Sequence, residues 1–272
     1  MCVNDKAGRD YWDHLWESGG MPRPIYPEKK QVAAFWDNYV NWRTHRYFSQ
    51  ILSRDSARSK KILEIGCARS AWLPYFATEF NMSVSGLDYS EVGCGLARQF
   101  LELAGVDGEI IQADFFSPPE SCLGAYDYVA SFGVLEHFKE TCFALSAMAK
   151  FLKPGGIIIT NIPNLKGLPG LLQKWIDRNI YDIHVPLSKR DILRAHQQIG
   201  LKIIDCRYFL FLNLGVLVYE KYNTRPYFPI LNKAVVRLTK LCWVLEDKLP
   251  WLLRANGVIS PYIYCVAQKL AE

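Results

Sequence analysis

Two short stretches of this sequence carry the residue types needed to bind a charged nucleoside. The first is Glu64-Ile65-Gly66-Cys67-Ala68, and the second ends in Asp88. Gly66 allows a sharp turn and a close approach of the backbone to a ligand, and the small Ala68 does not block that approach. An acid at the position of Asp88 can accept hydrogen bonds from both hydroxyl groups of a ribose. The pattern therefore predicts an adenosine-type ligand at two strand ends.

The charge of the first stretch separates two kinds of ligand. A nicotinamide-binding domain would also place an acid about 20 residues after its glycine turn. The pattern G-x-G-x-x-G is not met, however, because alanines occupy positions 68 and 71. Glu64 would also repel a pyrophosphate, since both groups are anionic. These features disfavour a nicotinamide-dependent oxidoreductase. They favour a cationic or zwitterionic ligand such as S-adenosylmethionine, which has an adenosine but no phosphate.

The elements that position these residues alternate between strands and helices. Apolar runs bounded by turn residues predict strands, and helical periodicity with capping residues such as Ser90 and Ser188 predicts helices between them. Strands are expected at 62–65, 83–87, 109–113, 126–131, 157–160, 201–208 and 262–267, and helices at 28–52, 72–80, 91–103, 136–152 and 188–199. This order predicts an α/β fold with a doubly wound, largely parallel sheet.

Five motifs in this order and spacing resemble the class I S-adenosylmethionine-dependent methyltransferases. They are Glu64–Ala68, Gly86–Asp88, Gln112–Phe115, Phe132–His137 and Leu152–Gly156. The resemblance covers roughly residues 60–163 and continues more weakly to residue 208. It implies a Rossmann-like, seven-stranded sheet whose last strand is antiparallel, with S-adenosylmethionine as cofactor and S-adenosylhomocysteine as product. The sequence departs from the family at Ala68 and Ser70, where glycines are common.

The resemblance also implies roles for individual residues. The turn of Glu64, Gly66, Cys67 and Ala68 would face the methionine part of the cofactor, and Asp88 would hold the ribose. The adenine and the sulfonium would be contacted by Tyr89, Asp114, Phe115 and Phe132. Tyr11, Trp12 and Trp16 resemble the N-terminal arm of thiopurine-type members, which closes over the cofactor. Plain packing is the alternative interpretation of these three aromatic residues.

Two histidines are candidates for catalysis. Methyl transfer from a sulfonium depends largely on positioning the nucleophile in a dry pocket. A base is needed when the acceptor is a hydroxyl or a protonated nitrogen. His137 follows the fourth predicted strand, and His184 lies in an insertion after the fifth. We expect one of them to act as this base, although His137 could also be structural.

Composition narrows the classes of partner and cofactor. The net charge of +5 comes from scattered lysines and arginines, so nucleic acid is not expected as a partner. The eight cysteines form no C-x-x-C pair and no zinc-ligand spacing with histidine, so no metal is expected. Free thiols and the absence of an export signal suggest the cytoplasm. No apolar run reaches the ~18 residues of a transmembrane helix.

We interpret residues 1–272 as a single methyltransferase domain. Residues 1–58 would form a helical arm or lid, 60–163 the cofactor-binding core, and 164–187 and 209–261 insertions that roof the substrate pocket. Their aromatic and apolar composition suits a small apolar or aromatic acceptor, methylated on O, N, S or C. The segment 209–261 could instead form a homodimer interface or touch a membrane surface. A catalytically silent cofactor-binding partner subunit remains a further alternative.

Overall fold

Seven strands form one mixed sheet in the computed structural model of the chain, which describes residues 5–18, 20–25, 38–52, 59–222 and 224–271. The strand order is β3-β2-β1-β4-β5-β7-β6. The first five strands pair in parallel, and β7 runs antiparallel to both β5 and β6. The strands are β1 Lys61–Ile65, β2 Ser83–Asp88, β3 Gly108–Gln112, β4 Tyr126–Phe132, β5 Leu152–Pro163, β6 Lys202–Phe209 and β7 Tyr262–Gln268. The predicted Rossmann-like sheet with an antiparallel last strand is confirmed.

The helices lie between the strands and before the sheet. Ser90 caps one of them by accepting from the Gly93 N–H, and Gly105 ends the same helix with a positive φ. Ser188 and Asp191 form a capping box at another. The helices are α1 Arg9–Ser18, α2 Tyr39–Ile51, α3 Trp72–Phe80, α4 Glu91–Ala104, α5 Thr141–Ala149, α6 Leu168–Ile176, α7 Arg178–Asp182, α8 Lys189–Gln198 and α9 Phe228–Lys248.

The core has two halves, one on each face of the sheet. Successive side chains of β1 alternate between them, since Ile62 packs with α2 and α3 while Leu63 packs with α5 and α8. Four of the five residues of β1 are buried, and the fifth, Lys61, is exposed. A strand buried on both faces is mostly apolar, and Ile62, Leu63 and Ile65 made β1 recognisable in the sequence, with Glu64 as its buried polar exception.

The helix predicted over 136–152 is wrong at both ends. Leu135–His137 form a short 3₁₀ turn in which Glu136 and His137 are buried, and α5 begins only at Thr141. The helix stops at Ala149 because Leu152 already pairs with Tyr126 as the start of β5. Strand β5 is correspondingly longer than predicted.

The helix predicted from residue 28 is described from Tyr39 onward. Its predicted beginning, with Phe35 and Trp36, lies outside the described residues, as does Gly19 of the arm. Among the described residues, no helix is both long and apolar enough to cross a bilayer.

The two insertions contact each other and α2. The side chain of Gln173 on α6 exchanges two hydrogen bonds with the backbone of Val218. Helix α9 is anchored by Trp243, which stacks on Tyr39 of α2 at 5.3 Å between ring centroids.

Candidate active site

A cavity of about 130 Å³ opens where β1, β2 and β4 end. These are the carboxyl ends of neighbouring parallel strands, where open α/β sheets bind their ligands. The walls are largely apolar and aromatic, with a few polar groups. They are formed by Asp5, Trp12, Trp16, Ile65, Gly66, Ala68, Leu87, Asp88, Tyr89, Ala113, Phe115, Phe132, Gly133, Val134, His137 and Phe138. We call this space the nucleoside-side cavity, after the part of the cofactor that the sequence resemblance places there.

A second cavity of about 340 Å³ adjoins it on the other side of the turn after β1. The two cavities share Gly66, Ala68 and Phe132, so they form one divided cleft. The remaining walls of the second cavity come from Arg23, Ile25, Asn41, Glu64, Arg69, Ser70, Ala71 and Trp72. We call this space the methionine-side cavity, again after the part of the cofactor that the sequence resemblance places there.

Gly66 makes the turn between the two cavities possible. Its φ is +78°, in the left-handed region that glycine tolerates best. A β-carbon at this position would come within 2.4 Å of Val134 Cγ2, so the backbone of β1 and the loop after β4 meet without room for a side chain. The glycine therefore sets the width of the cleft.

Asp88 is fixed at the end of β2 by two backbone donors. Its Oδ1 accepts from the Ser90 N–H at 2.8 Å, and its Oδ2 accepts from the Ala68 N–H at 3.2 Å. Burial raises the pKa of this carboxyl, while the two backbone hydrogen bonds oppose the shift. A carboxylate has about four lone-pair sites, so it can still accept two hydrogen bonds from a ligand.

Glu64 is buried in the methionine-side cavity and accepts a hydrogen bond from Ser70 Oγ at 2.7 Å. Burial raises its pKa to about 8, and the hydrogen bond from Ser70 opposes this shift. A buried carboxyl of this kind gains most from a ligand that brings a positive charge, because the ion pair offsets the cost of desolvation.

Helix α1 closes one side of the nucleoside-side cavity. Trp12 and Trp16 stack at 5.5 Å, and both line the cavity. Asp5, which sequence reasoning missed, accepts from Trp12 Nε1 at 2.8 Å and from the Tyr89 hydroxyl at 2.7 Å. The Lys6 N–H also donates to the His137 carbonyl. The turn-forming Asp5-x-x-Gly8 was a local signal, but nothing in the sequence indicated its contact with Tyr89.

The two candidate histidines lie next to each other. Their ring centroids are 4.5 Å apart, and Trp12 packs edge-on against His137. His137 lines the cavity, whereas His184 lies behind it. Burial, followed by the neighbouring His184, lowers the pKa of His137 to about 4, and burial also lowers the pKa of His184. Both rings are therefore neutral at pH 7.

Three of the predicted cofactor residues do not line either cavity. Tyr11 packs against Trp12, and burial, Glu220 and Asp177 raise its pKa. Cys67 is fully buried, and its sulfur would lie 2.6 Å from a β-carbon at position 86. Asp114 is exposed and accepts from the Phe116 N–H.

The insertions take a different position from the one expected for a roof. None of the described residues in 164–187 or 209–261 belongs to the walls of the two cavities. His184 comes nearest, through its contact with His137. Leu210 and Phe209 are buried in the core half that also contains Tyr47 and Tyr264.

The family described as "Methyltransferase domain" matches residues 39–205, more than half of the 272-residue chain. A ubiquinone biosynthesis O-methyltransferase from Thiobacillus denitrificans is 26% identical over 160 residues, which are 55% of this chain and 68% of that protein. The chain spans less than two thirds of the length of four other relatives with the same description and 80% of the length of one from Dinoroseobacter shibae.

Solved structures share the whole fold at low identity. Geranyl diphosphate C-methyltransferase from Streptomyces coelicolor, solved with Mg²⁺, geranyl diphosphate and S-adenosyl-L-homocysteine, has a TM-score of 0.56 at 14% identity, over 96% of this chain and 98% of that one. The [4+2]-cyclase SpnF has a TM-score of 0.60 at 15% identity, over 100% and 98%. At these identities the likeness establishes the fold alone.

Proposed function

The chain belongs to the class I S-adenosylmethionine-dependent methyltransferases, and from this membership we propose that it methylates a hydroxyl oxygen of a small aromatic or apolar acceptor. The observation that carries the proposal is the divided cleft, in which a neutral histidine and an aromatic wall flank the glycine turn. The O-methyltransferases among its relatives support oxygen as the acceptor atom.

In this proposal the nucleoside-side cavity holds the adenosine. The two remaining lone-pair sites of Asp88 accept from the ribose hydroxyls, and each charge-assisted hydrogen bond contributes on the order of 1.5–3 kcal/mol. Phe115 and Tyr89 flank the adenine. Asp114, at the exposed rim, contributes less because it is exposed and already accepts from the Phe116 N–H.

The methionine-side cavity holds the amino-acid part of the cofactor. Glu64 pairs with the ammonium group, which supplies the positive charge that this buried carboxyl lacks. Arg69 binds the carboxylate, since its Nε is buried with no hydrogen-bond partner among the described residues. The sulfonium then lies near Phe132, which borders both cavities.

Catalysis follows from positioning and from a proton acceptor. Trp12 and Trp16 exclude water from the cleft, so the acceptor oxygen and the methyl carbon meet in a dry pocket. His137 is neutral at pH 7 and can take the hydroxyl proton as the new oxygen–carbon bond forms. The sulfonium becomes a neutral thioether, and the proton remains on the imidazole until it passes to solvent.

A labelled-methyl assay with a panel of phenols, amines and thiols tests the proposal. We expect label on hydroxyl oxygens of aromatic acceptors and little on the others. His137→Gln should lower kcat while calorimetry shows unchanged S-adenosylhomocysteine affinity. Cofactor binding without transfer to any acceptor would favour the silent partner subunit, and transfer to amines or thiols alone would contradict oxygen as the acceptor atom.

A further inference from the structure

Three potential metal ligands that are separated in the sequence meet beside the cleft. Glu136 and His137 lie on the 3₁₀ turn after β4, and His184 lies between α7 and α8. One ligand atom from each lies within 4.8 Å of the other two. The expectation of no metal rested on the spacing of cysteines and histidines along the chain, and the fold removes that ground for these three residues.

The two imidazoles are oriented as metal ligands are. Nδ1 of His137 lies 3.0 Å from the Ile183 carbonyl oxygen, and Nδ1 of His184 lies 2.6 Å from the Ile180 carbonyl oxygen. A carbonyl oxygen only accepts, so each Nδ1 carries the proton and each Nε2 of the neutral rings carries a lone pair. Metal-bound histidines usually donate their other N–H to a carbonyl or carboxylate in this way.

The carboxylate of Glu136 is the independent observation that points to a cation. The residue is 2% exposed, and its Oε2 is buried with no hydrogen-bond partner among the described residues. A buried carboxylate oxygen without a partner is costly, so such atoms call for an explanation. Two atoms that each bind an ion at about 2.1 Å stand roughly 3–4 Å apart. The three ligand atoms lie within 4.8 Å of one another, so small side-chain movements would bring them to that spacing.

We propose that Glu136, His137 and His184 bind one divalent transition-metal ion such as Zn²⁺. Two imidazoles and one carboxylate suit Zn²⁺, Fe²⁺ or Mn²⁺ better than Mg²⁺ or Ca²⁺, which prefer oxygen ligands alone. The ammonium of Lys6 donates to the His184 carbonyl at 2.6 Å, so its positive charge would repel a cation at this site. The negative charge of Asp5 partly offsets that repulsion. Three protein ligands leave a position open. The proposal goes beyond the methyl transfer proposed above. It excludes His137 as the base while the ion is bound, because the one free lone pair of that ring cannot hold an ion and accept a proton at the same time.

Metal titration of the full chain tests this site. After chelation and dialysis, calorimetry with Zn²⁺ should give one equivalent per chain, and Co²⁺ should give a visible absorption spectrum of a nitrogen-ligated ion. His184→Gln and Glu136→Gln should each weaken Zn²⁺ binding by about 100-fold or more. The control is His14→Gln, which removes an exposed histidine and should leave the affinity unchanged.

Several outcomes would overturn the site. A wild-type chain that binds neither Zn²⁺ nor Co²⁺ rejects it without reference to any variant. Equal losses in His14→Gln and His184→Gln would indicate surface binding only. Calorimetry with S-adenosylhomocysteine on the same samples shows whether a variant is folded. A wild-type chain that binds S-adenosylhomocysteine but no metal would reject this site alone and leave the methyltransferase assignment intact.

Helix α9 carries a second, separate inference. Of its 21 residues only Thr239, Trp243 and Glu246 are buried. Leucines recur on one exposed side at spacings of seven, three and four residues, which keep them on one face of a helix. Trp251 and Leu252 follow the helix with 66% and 57% exposure. The leucines of this stripe, which we call the α9 stripe, are Leu231, Leu238, Leu241 and Leu245.

Basic side chains flank the α9 stripe. Lys233, Arg237 and Lys248 are exposed on the helix, whereas Asp247 is its one exposed acid. A second copy of the chain would bring these cations against the same cations, which disfavours a homodimer through this face. We infer that the α9 stripe binds the surface of a bilayer that contains anionic lipid, because leucines and tryptophan enter the interface while lysine and arginine attract the head groups.

Vesicle sedimentation at low and high salt tests the inference. The full chain should bind vesicles of phosphatidylcholine with phosphatidylglycerol, bind neutral phosphatidylcholine vesicles several-fold less, and dissociate as salt increases. Leu238→Ser with Leu241→Ser should reduce binding at least about tenfold. Leu103→Ser, which alters an exposed leucine on α4, is the matched control. Equal binding to both vesicle types, or sedimentation as a dimer with no vesicle binding, would overturn the inference.

Discussion

The carboxyl ends of the parallel strands, where the divided cleft opens and which we call the edge, differ from helix α9 in how their apolar side chains are placed. At the edge, Leu87 and Phe115 are buried and polar atoms are held at fixed distances, as with Asp88 between two backbone donors. In α9, Leu238 and Leu241 are each more than half exposed. At the edge, the chain itself covers the apolar side chains and fixes the polar atoms. The helix has an apolar surface that the chain itself does not cover, so its role depends on something outside the chain.

The largest effect should come from breaking the edge at Asp88. Asp88→Ala removes both acceptors for the ribose hydroxyls, and we expect S-adenosylhomocysteine to bind at least about 100-fold more weakly. Calorimetry measures this. Asp127→Asn is the control, because Asp127 pairs with Lys153 at the amino end of β4, the end of the strand away from the cleft. An unchanged affinity in Asp88→Ala would contradict the ribose assignment.

The next effect is a loss of stability, caused by placing a side chain in the turn at Gly66. Gly66→Ala places a β-carbon against Val134 and forces a positive φ on alanine, so we expect about 2–4 kcal/mol lower unfolding free energy. Denaturant unfolding measures it. Adding Val134→Ala should recover the part due to the clash but not the part due to φ. If the single variant is as stable as the wild type, the turn does not limit the cleft.

At the other region, Trp243 should matter for stability and not for the cofactor. Its Nε1 donates to the Leu212 carbonyl at 2.7 Å, and its ring stacks on Tyr39. Trp243→Phe keeps the stacking and loses the hydrogen bond, which should cost about 1–2 kcal/mol. Cofactor affinity should stay the same. A matching loss of cofactor affinity would show that α9 and the cleft are coupled.

The buried Glu64 should make the stability of the ligand-free chain depend on pH. Its pKa is about 8 in the folded chain against an ordinary value of 4.5. Between these values the folded chain holds a proton that the unfolded chain has lost. The unfolding free energy therefore falls as pH rises from about 4.5 to about 8, by at most about 1.4 kcal/mol per pH unit. Glu64→Gln should reduce this slope in thermal melts between pH 5 and pH 8. Part of the slope should remain, because burial also raises the pKa of Glu136 to about 8. An unchanged slope would contradict a protonated Glu64 in the folded chain.

The contrast between the two regions also explains what could be predicted from the sequence. The edge is specified locally, because a buried strand that ends in a glycine turn and an acid at the next strand end are each visible in a short stretch of sequence. The sequence therefore predicted that Gly66 and Asp88 lie together, and both line one cavity. The cluster of Glu136, His137 and His184 depends on how the insertion after β5 folds back, which no local spacing reports. The 3₁₀ turn at Leu135–His137 was missed for the same reason, since burial of Glu136 overrides its helix propensity.

The sequence showed that the segment after β6 is apolar and aromatic, but it did not show where this segment packs. Its aromatic and apolar content suggested a roof over the pocket, yet Trp243 serves to attach α9 to α2, and the leucines on the far side face outward. Composition alone does not distinguish apolar residues that are buried in the core from apolar residues that stay exposed, because both can recur at helical spacing.

The smallest expected change in stability comes from an exposed leucine of α9, and a buried leucine of the core serves as its comparison. Leu241→Ser on the α9 stripe removes an apolar side chain that is 55% exposed, so the unfolding free energy should change by less than about 0.5 kcal/mol. Leu145→Ser, at a fully buried leucine of α5, should instead cost more than about 3 kcal/mol. Denaturant unfolding of both variants at one pH gives the comparison. A loss of several kcal/mol in Leu241→Ser would mean that the stripe is buried in solution, for example in a dimer, and the membrane inference would then fail.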